Sequence, residues 1–239
     1  MRSTTALVVS LATSVAAVND NIWKAPTASD RRSPCPMLNS LANSGYFNRD
    51  GLNISLSDFS TVLSDVINLD PAATALVTAV GIKASTTGYA DTLNLDDLDK
   101  HGIIEHDASL SRADWNNGAG DSHSFNKDIW AQTLTHFPDD TISIKQLAEA
   151  RAAVIARANA THPDTFTFGA AQAQGSLLEN SLILSVFGSG TEGNAVLKHV
   201  RTMFEEERLP IEEGWVKPKN VIDLAAIQSL GAKLTAATA

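Results

Sequence analysis

The chain has 239 residues, of which 44% are hydrophobic and 19% charged, and its formal net charge is -9. The apolar share is enough for one sizeable core, and the composition is that of neither a disordered segment nor a coiled coil. No basic patch interrupts the acidic balance, which excludes a nucleic-acid binder, and no apolar run is long enough to span a bilayer.

At the N-terminus, Arg2, the apolar run Ala6-Leu7-Val8-Val9-Ser10-Leu11-Ala12 and the small residues Val15-Ala16-Ala17 compose a secretory signal peptide over residues 1–17. The expectation is a secreted, extracellular protein whose mature part, residues 18–239, is one domain. The other reading of the segment is a first helix of the mature fold. Two sequons, Asn53-Ile54-Ser55 and Asn159-Ala160-Thr161, make Asn53 and Asn159 candidate glycosylation sites.

The polar stretch 21–33 is expected to be extended. Helices are then predicted over 36–46, opened by Pro36 and ended by Gly45; after Ser57, with Phe59, Val62, Leu63, Val66 and Ile67 as an apolar stripe; over 72–83 after Asp70-Pro71; and, briefly, after Asn94 around Leu95 and Leu98. Beyond the glycine-rich loop 116–121, further helices are predicted over 125–134, from Ser143 to residue 157, over 176–187 and over 194–207. Ser143 and Gln146 form a capping-box pattern, and Gly188-Ser189-Gly190 separates the last two helices. Only Thr165-Phe166-Thr167-Phe168 alternates with period two. The fold class is therefore mainly α, a single helical domain with little or no β structure.

Three segments carry chemistry. Cys35 is the only cysteine and sits between Pro34 and Pro36. Pro36 suits the first turn of a helix, which puts the sulfur at a helix N-terminus, where free N–H groups and the helix dipole favour a metal-ligating thiolate. A small, inert, buried thiol is the alternative. In a secreted protein an unpaired thiol calls for a reason, and a bound metal is one.

The second segment is His101-Gly102-Ile103-Ile104-Glu105-His106-Asp107-Ala108-Ser109. Its three consecutive ionisable side chains cannot all face one way, so they must serve different surroundings. On a helix, Glu105 and Ser109 would share a face and, with a backbone carbonyl, offer oxygen donors to Mg²⁺. The alternative is a solvated acidic turn. The third segment, Leu177-Leu178-Glu179-Asn180-Ser181-Leu182-Ile183-Leu184, carries one carboxylate in an apolar helix. Burial beside Leu178 and Leu182 would raise the pKa of Glu179 and suit it to proton transfer, whereas the exposed edge of the helix would leave it ordinary.

Three ordered blocks resemble the fungal heme-thiolate peroxidases, the family of chloroperoxidase and the unspecific peroxygenases. They are Ser33-Pro34-Cys35-Pro36-Met37-Leu38-Asn39-Ser40-Leu41-Ala42-Asn43, Glu105-His106-Asp107-Ala108-Ser109-Leu110-Ser111-Arg112, and Glu205-Glu206-Glu207-Arg208-Leu209-Pro210-Ile211-Glu212-Glu213-Gly214-Trp215. The likeness covers residues 23–217, and His106 in the middle block is the form of the short peroxygenases, the long ones having Gly there.

The resemblance implies heme b (iron protoporphyrin IX) with Cys35 as the axial iron ligand. It also implies Mg²⁺ held by Glu105, Ser109, the main-chain carbonyl of His106 and a heme propionate. Glu179 matches the distal acid–base glutamate, with His106 assisting it. Ile104, Leu178 and Leu182 stand beside these groups and are expected to line the heme pocket and channel. The implied partners are hydrogen peroxide and small apolar organic substrates, which would be hydroxylated, epoxidised or oxidised by one electron. A halide peroxidase and a non-catalytic heme-binding protein are the alternatives.

Two departures stand out. Ser44 occupies a place where the family often has His, and there is no C-terminal cysteine of the kind that links two chains in some short members, so no disulfide-linked dimer is expected. His101, His123, His136, His162 and His199 read as structural or exposed, the four tryptophans as anchors, and Glu205-Glu206-Glu207 as a solvated helix face.

Overall fold

A computed structural model describes residues 21–238; the predicted signal peptide lies outside them. The described residues are mainly helical, with eight α-helices. Strand is confined to two antiparallel pairs of two-residue segments, β1 (Ile54–Ser55) with β2 (Thr92–Leu93) and β3 (Thr141–Ile142) with β4 (Ala195–Val196).

Helix α1 (Pro36–Asn43) starts where Pro36 predicts, with Cys35 as its extended N-cap residue. It ends sooner than expected, because Gly45 turns the chain away in the left-handed region (φ 76). Helix α2 (Leu56–Ile67) is capped by Ser55 rather than Ser57. The Ser55 hydroxyl accepts from the Asp58 N–H at 3.1 Å, and the Asp58 carboxylate accepts from the Ser55 N–H at 3.0 Å.

Asp70 caps α3 (Pro71–Gly81), which tightens into a 3-10 turn over Ile82–Ala84, and Leu95–Asp99 is likewise 3-10. Then follow α4 (Lys127–Leu134), α5 (Ile144–Thr161), α6 (Ala170–Phe187) and α7 (Leu197–Glu206). Both α5 and α6 outrun their expected limits. An eighth helix, α8 (Leu224–Ala236), adds to the predicted set, with the Asp223 side chain capping the Ala226 N–H. The predicted alternation at 165–168 forms no strand; instead the rings of Phe166 and Phe168 stack at 5.9 Å.

One core joins α1, α5, α6 and α8, in which Leu41, Leu147, Leu184 and Leu230 are completely buried. Burying each such side chain is worth about 1.5–3 kcal/mol. Because most of the second half of α6 is buried, it is a rigid mount for Glu179, which stands at the helix midpoint. Helix α1 leans on α7, and this brings the first and third sequence blocks together.

Candidate active site

Cys35 carries a free thiol that is open to solvent. Protein atoms nevertheless crowd the sulfur. That crowding pushes the thiol above the ordinary cysteine range and the nearby Glu179 charge adds to it, while the N–H groups of Leu38 and Met37 and the Arg112 guanidinium pull it down. The helix-terminus stabilisation expected from sequence is present, but burial outweighs it. A bound metal ion reverses this balance, since coordination deprotonates a thiol outright.

The middle block is a loop, not a helix, pinned by two buried aspartates. Asp107 Oδ1 accepts from the Trp115 N–H at 2.8 Å and Asp114 Oδ1 from the Ala108 N–H at 2.8 Å, with Ala108 in the left-handed region (φ 67). The three consecutive ionisable groups do serve different surroundings. Glu105 turns to His101, whose Nδ1 donates to its Oε2 at 2.7 Å while the His101 ring stacks on Trp115 at 4.5 Å. Burial raises the pKa of Glu105 against that bond.

His106 donates from Nδ1 to the Asp107 carbonyl at 2.7 Å, and its ring meets Phe168 edge-on at 5.8 Å. This leaves Nε2 facing Glu179 Oε2 at 3.6 Å, an ion pair too long for a hydrogen bond. Nε2 is buried with no hydrogen-bond partner among the described residues. Burial lowers the His106 pKa, but Glu179, the Asp107 carbonyl and Glu105 together push it up to about 9.

Glu179 itself is 58% exposed at the side chain, so the expected burial between Leu178 and Leu182 does not occur. The reason is helical geometry: Asn180, Ser181, Ile183 and Leu184 turn into the core and Glu179 turns out. Ile104, Leu178 and Leu182 are half-buried and pack against the main core. Gly175, one turn before Glu179, leaves room for the imidazole: a Cβ there would lie 3.5 Å from His106 Cδ2. A separate hollow of about 340 Å³, lined by Trp23, Arg32, Asn39, Asn43, Phe125 and Glu207, contains none of Cys35, His106 or Glu179.

These features fit a porphyrin: Cys35 would supply a sulfur ligand to its metal, and the orphaned Nε2 with its carboxylate would supply a polar group. The fit to Mg²⁺ is chemical only. Glu105 and Ser109 are hard oxygen donors, but Glu105 is engaged by His101, and Ser109 Oγ accepts from the Ser111 and Arg112 N–H groups at 3.2 and 3.1 Å. No cluster of three His, Cys, Asp or Glu able to hold a metal occurs among the described residues. The loop geometry also withdraws the shared helical face assumed for Glu105 and Ser109.

The glutamate run is not simply a solvated face. Glu207 is the left-handed C-cap of α7 (φ 46), and its carboxylate binds Asn39 and the buried Arg112. Sequence reasoning missed Asn39, Arg112, Gly175 and Phe168. Two of these four, Asn39 and Arg112, lie inside the quoted blocks, but their roles depend on partners far away in the chain.

The family model described as "Peroxidase, family 2" matches residues 21–220. The chain is 27% identical over 219 residues to "Aromatic peroxygenase" of Cyclocybe aegerita, covering 81% of this chain and 57% of that protein. It is 26% identical over 217 residues to "Aromatic peroxygenase" of Coprinellus radians, covering 80% and 81% respectively. To "Chloroperoxidase" of Leptoxyphium fumago it is 36% identical over 124 residues, covering 47% of this chain and 32% of that one. The chain thus spans little more than half the length of the Cyclocybe aegerita relative.

Proposed function

The chain belongs to peroxidase family 2, and from that premise we propose that it is a secreted heme-thiolate peroxygenase of the short type, oxygenating small apolar organic molecules with hydrogen peroxide. One observation carries the reading. A solitary accessible thiol stands within electrostatic reach of Glu179, the carboxylate that faces the otherwise unpartnered Nε2 of His106. The names of the aromatic peroxygenase relatives support the same class of reaction.

Heme, when bound, supplies the iron chemistry that splits the peroxide O–O bond, and a thiolate ligand favours that cleavage. The chain's own residues do the rest. Cys35 holds the group from the N-terminus of α1. The Glu179 carboxylate takes a proton from the attacking peroxide oxygen and returns it to the departing one, a step typically worth about 10²- to 10⁴-fold. Its open side chain gives a small molecule access to that oxygen, and the largely buried half of α6 keeps it in place. His106, fixed by its Nδ1–H bond to the Asp107 carbonyl, keeps Nε2 turned to the carboxylate and orients it. Ile104, Leu178 and Leu182 give the site an apolar wall suited to hydrocarbon and aromatic substrates.

Were Mg²⁺ bound, Glu105, Ser109 and the His106 carbonyl would be its donors, Glu105 turning from His101 to reach it, and the ion would neutralise a propionate and anchor the heme. Secretion, and glycosylation at the exposed Asn53 and Asn159, belong to the same proposal. The test is turnover by the heme-loaded protein with peroxide and an aromatic or alkane substrate. Hydroxylated product supports the reading. Halogenated product in the presence of chloride or bromide, without oxygenated product, replaces it with the halide peroxidase that the Leptoxyphium fumago relative represents.

A further inference from the structure

Four side chains from three distant parts of the chain form a hydrogen-bond chain that ends on the backbone of Cys35. Ser33 Oγ accepts from the Cys35 N–H at 3.2 Å. Asn39, one turn into α1, grips Ser33 three times: its Oδ1 accepts from the Ser33 N–H at 2.8 Å and from Ser33 Oγ at 3.2 Å, and its Nδ2 donates to the Ser33 carbonyl at 2.8 Å. The other hydrogen of that amide goes to Glu207 Oε1 at 2.8 Å. The same oxygen accepts from Arg112 Nη2 at 2.9 Å, and Arg112 is further tied to Ser111 Oγ at 2.8 Å. Ser33, Asn39 and Arg112 are all buried. The Glu207 main chain is fixed as well, since its carbonyl accepts from Trp23 Nε1 at 3.0 Å and Asn43 Nδ2 at 3.2 Å.

We propose that Glu207 is a positioning residue for Cys35: through Asn39 and Ser33 it locks the backbone that carries the sulfur, and by neutralising Arg112 it sets the charge the sulfur feels from behind. The inference deepens, and rests on, the reading of Cys35 as an axial heme ligand. The bonding supports two separable duties. The hydrogen bonds run in series from Arg112 to Cys35, so removing the shared acceptor releases both Asn39 and Arg112. Arg112 is also close enough to Cys35 for each to act on the other electrostatically, so a guanidinium stripped of its carboxylate would present uncompensated positive charge to the ligand.

Two variants separate the duties. Glu207→Gln keeps an oxygen that can accept from both Asn39 and Arg112 but carries no charge. Glu207→Ala removes both. With heme-loaded protein, Glu207→Gln should keep the wild-type ferrous carbon monoxide band and heme-loss rate, while its ferric/ferrous potential rises by about 30–60 mV, a roughly three- to tenfold shift at about 59 mV per tenfold for one electron. The Ala variant should lose heme to a heme-free globin acceptor roughly tenfold faster. A purely structural role leaves the Gln potential unmoved. The proposal is overturned if Glu207→Gln has the wild-type potential, or if Glu207→Ala retains heme at the wild-type rate. Wild-type protein is the control that keeps the two ideas apart: if it takes up no thiolate-ligated heme, the functional reading itself fails.

Discussion

Glu179→Gln removes the charge facing His106 while keeping the size of the side chain, and its effect can be worked through in magnitude and in pH. The His106 imidazole is 6% exposed and its partner carboxylate 58% exposed. The displacement of His106 from 6.5 to about 9 corresponds at face value to about 3.4 kcal/mol. Glu179 supplies only part of it. Water screens its exposed carboxylate, and the 3.6 Å separation is not a hydrogen bond, so its share is about 1 kcal/mol.

The sign follows from a histidine held above its unfolded value. The pairing stabilises the fold fully below about pH 6.5 and is lost as pH rises through about 9. Glu179→Gln should therefore be less stable than wild type by about 1 kcal/mol at pH 6, or about 2–4 °C in Tm for a domain of this size. By pH 10 the difference should vanish. Thermal denaturation at the two pH values, with an NMR titration of the His106 ring, reads this directly. In the same variant, peroxide turnover should fall by about 10²- to 10⁴-fold with heme retained. An equal stability loss at both pH values, an unchanged His106 titration, or surviving turnover would each refute the pairing of these two residues as described.

Gly175→Ala should fold and gain about 0.5–1 kcal/mol from reduced backbone freedom in α6, because the new methyl makes only ordinary contact with His106; a lower Tm would show that the imidazole does not sit there. Leu184→Ala, at a completely buried site in α6, should cost about 2–5 kcal/mol in urea denaturation without moving the carbon monoxide band, since it opens a cavity in the core and touches no reactive group. Chelation of divalent metal from the heme-loaded protein should speed heme loss, with Mg²⁺ restoring retention; a loss rate indifferent to chelator would end the role given to Glu105 and Ser109.

The parts of the fold set by local chemistry were legible in the chain. Pro36, the Ser143/Gln146 box and the Asp70-Pro71 pair each marked a helix start, because caps are satisfied by neighbours a few residues away. Helix α8 has a readable stripe at Ile227, Leu230 and Leu234, all buried, with Asp223 as its cap, but it lies beyond the last quoted block. Ser57 reads as the cap of α2, but Ser55 takes that place because Asp58 can close a box only with the residue three before it.

At the site, residue identity was readable and orientation was not. Nothing local tells that Glu179 faces outward while Asn180 and Ser181 face in, because that depends on where α8 packs. Glu105 looked like a free carboxylate until the fold brought back His101, only four residues earlier but across a loop. Glu207 looked like one of three solvated glutamates, and only the meeting of α1 with α7 supplies the partners that make it different.

The most direct measurement is the absorption spectrum of the reduced, carbon monoxide-bound protein, for wild type and Cys35→Ala. The account predicts a red-shifted Soret band in wild type, the mark of a thiolate opposite carbon monoxide, and its loss in the variant. A wild-type band at the position typical of histidine-ligated heme, or a red-shifted band that survives removal of the only sulfhydryl, would contradict it.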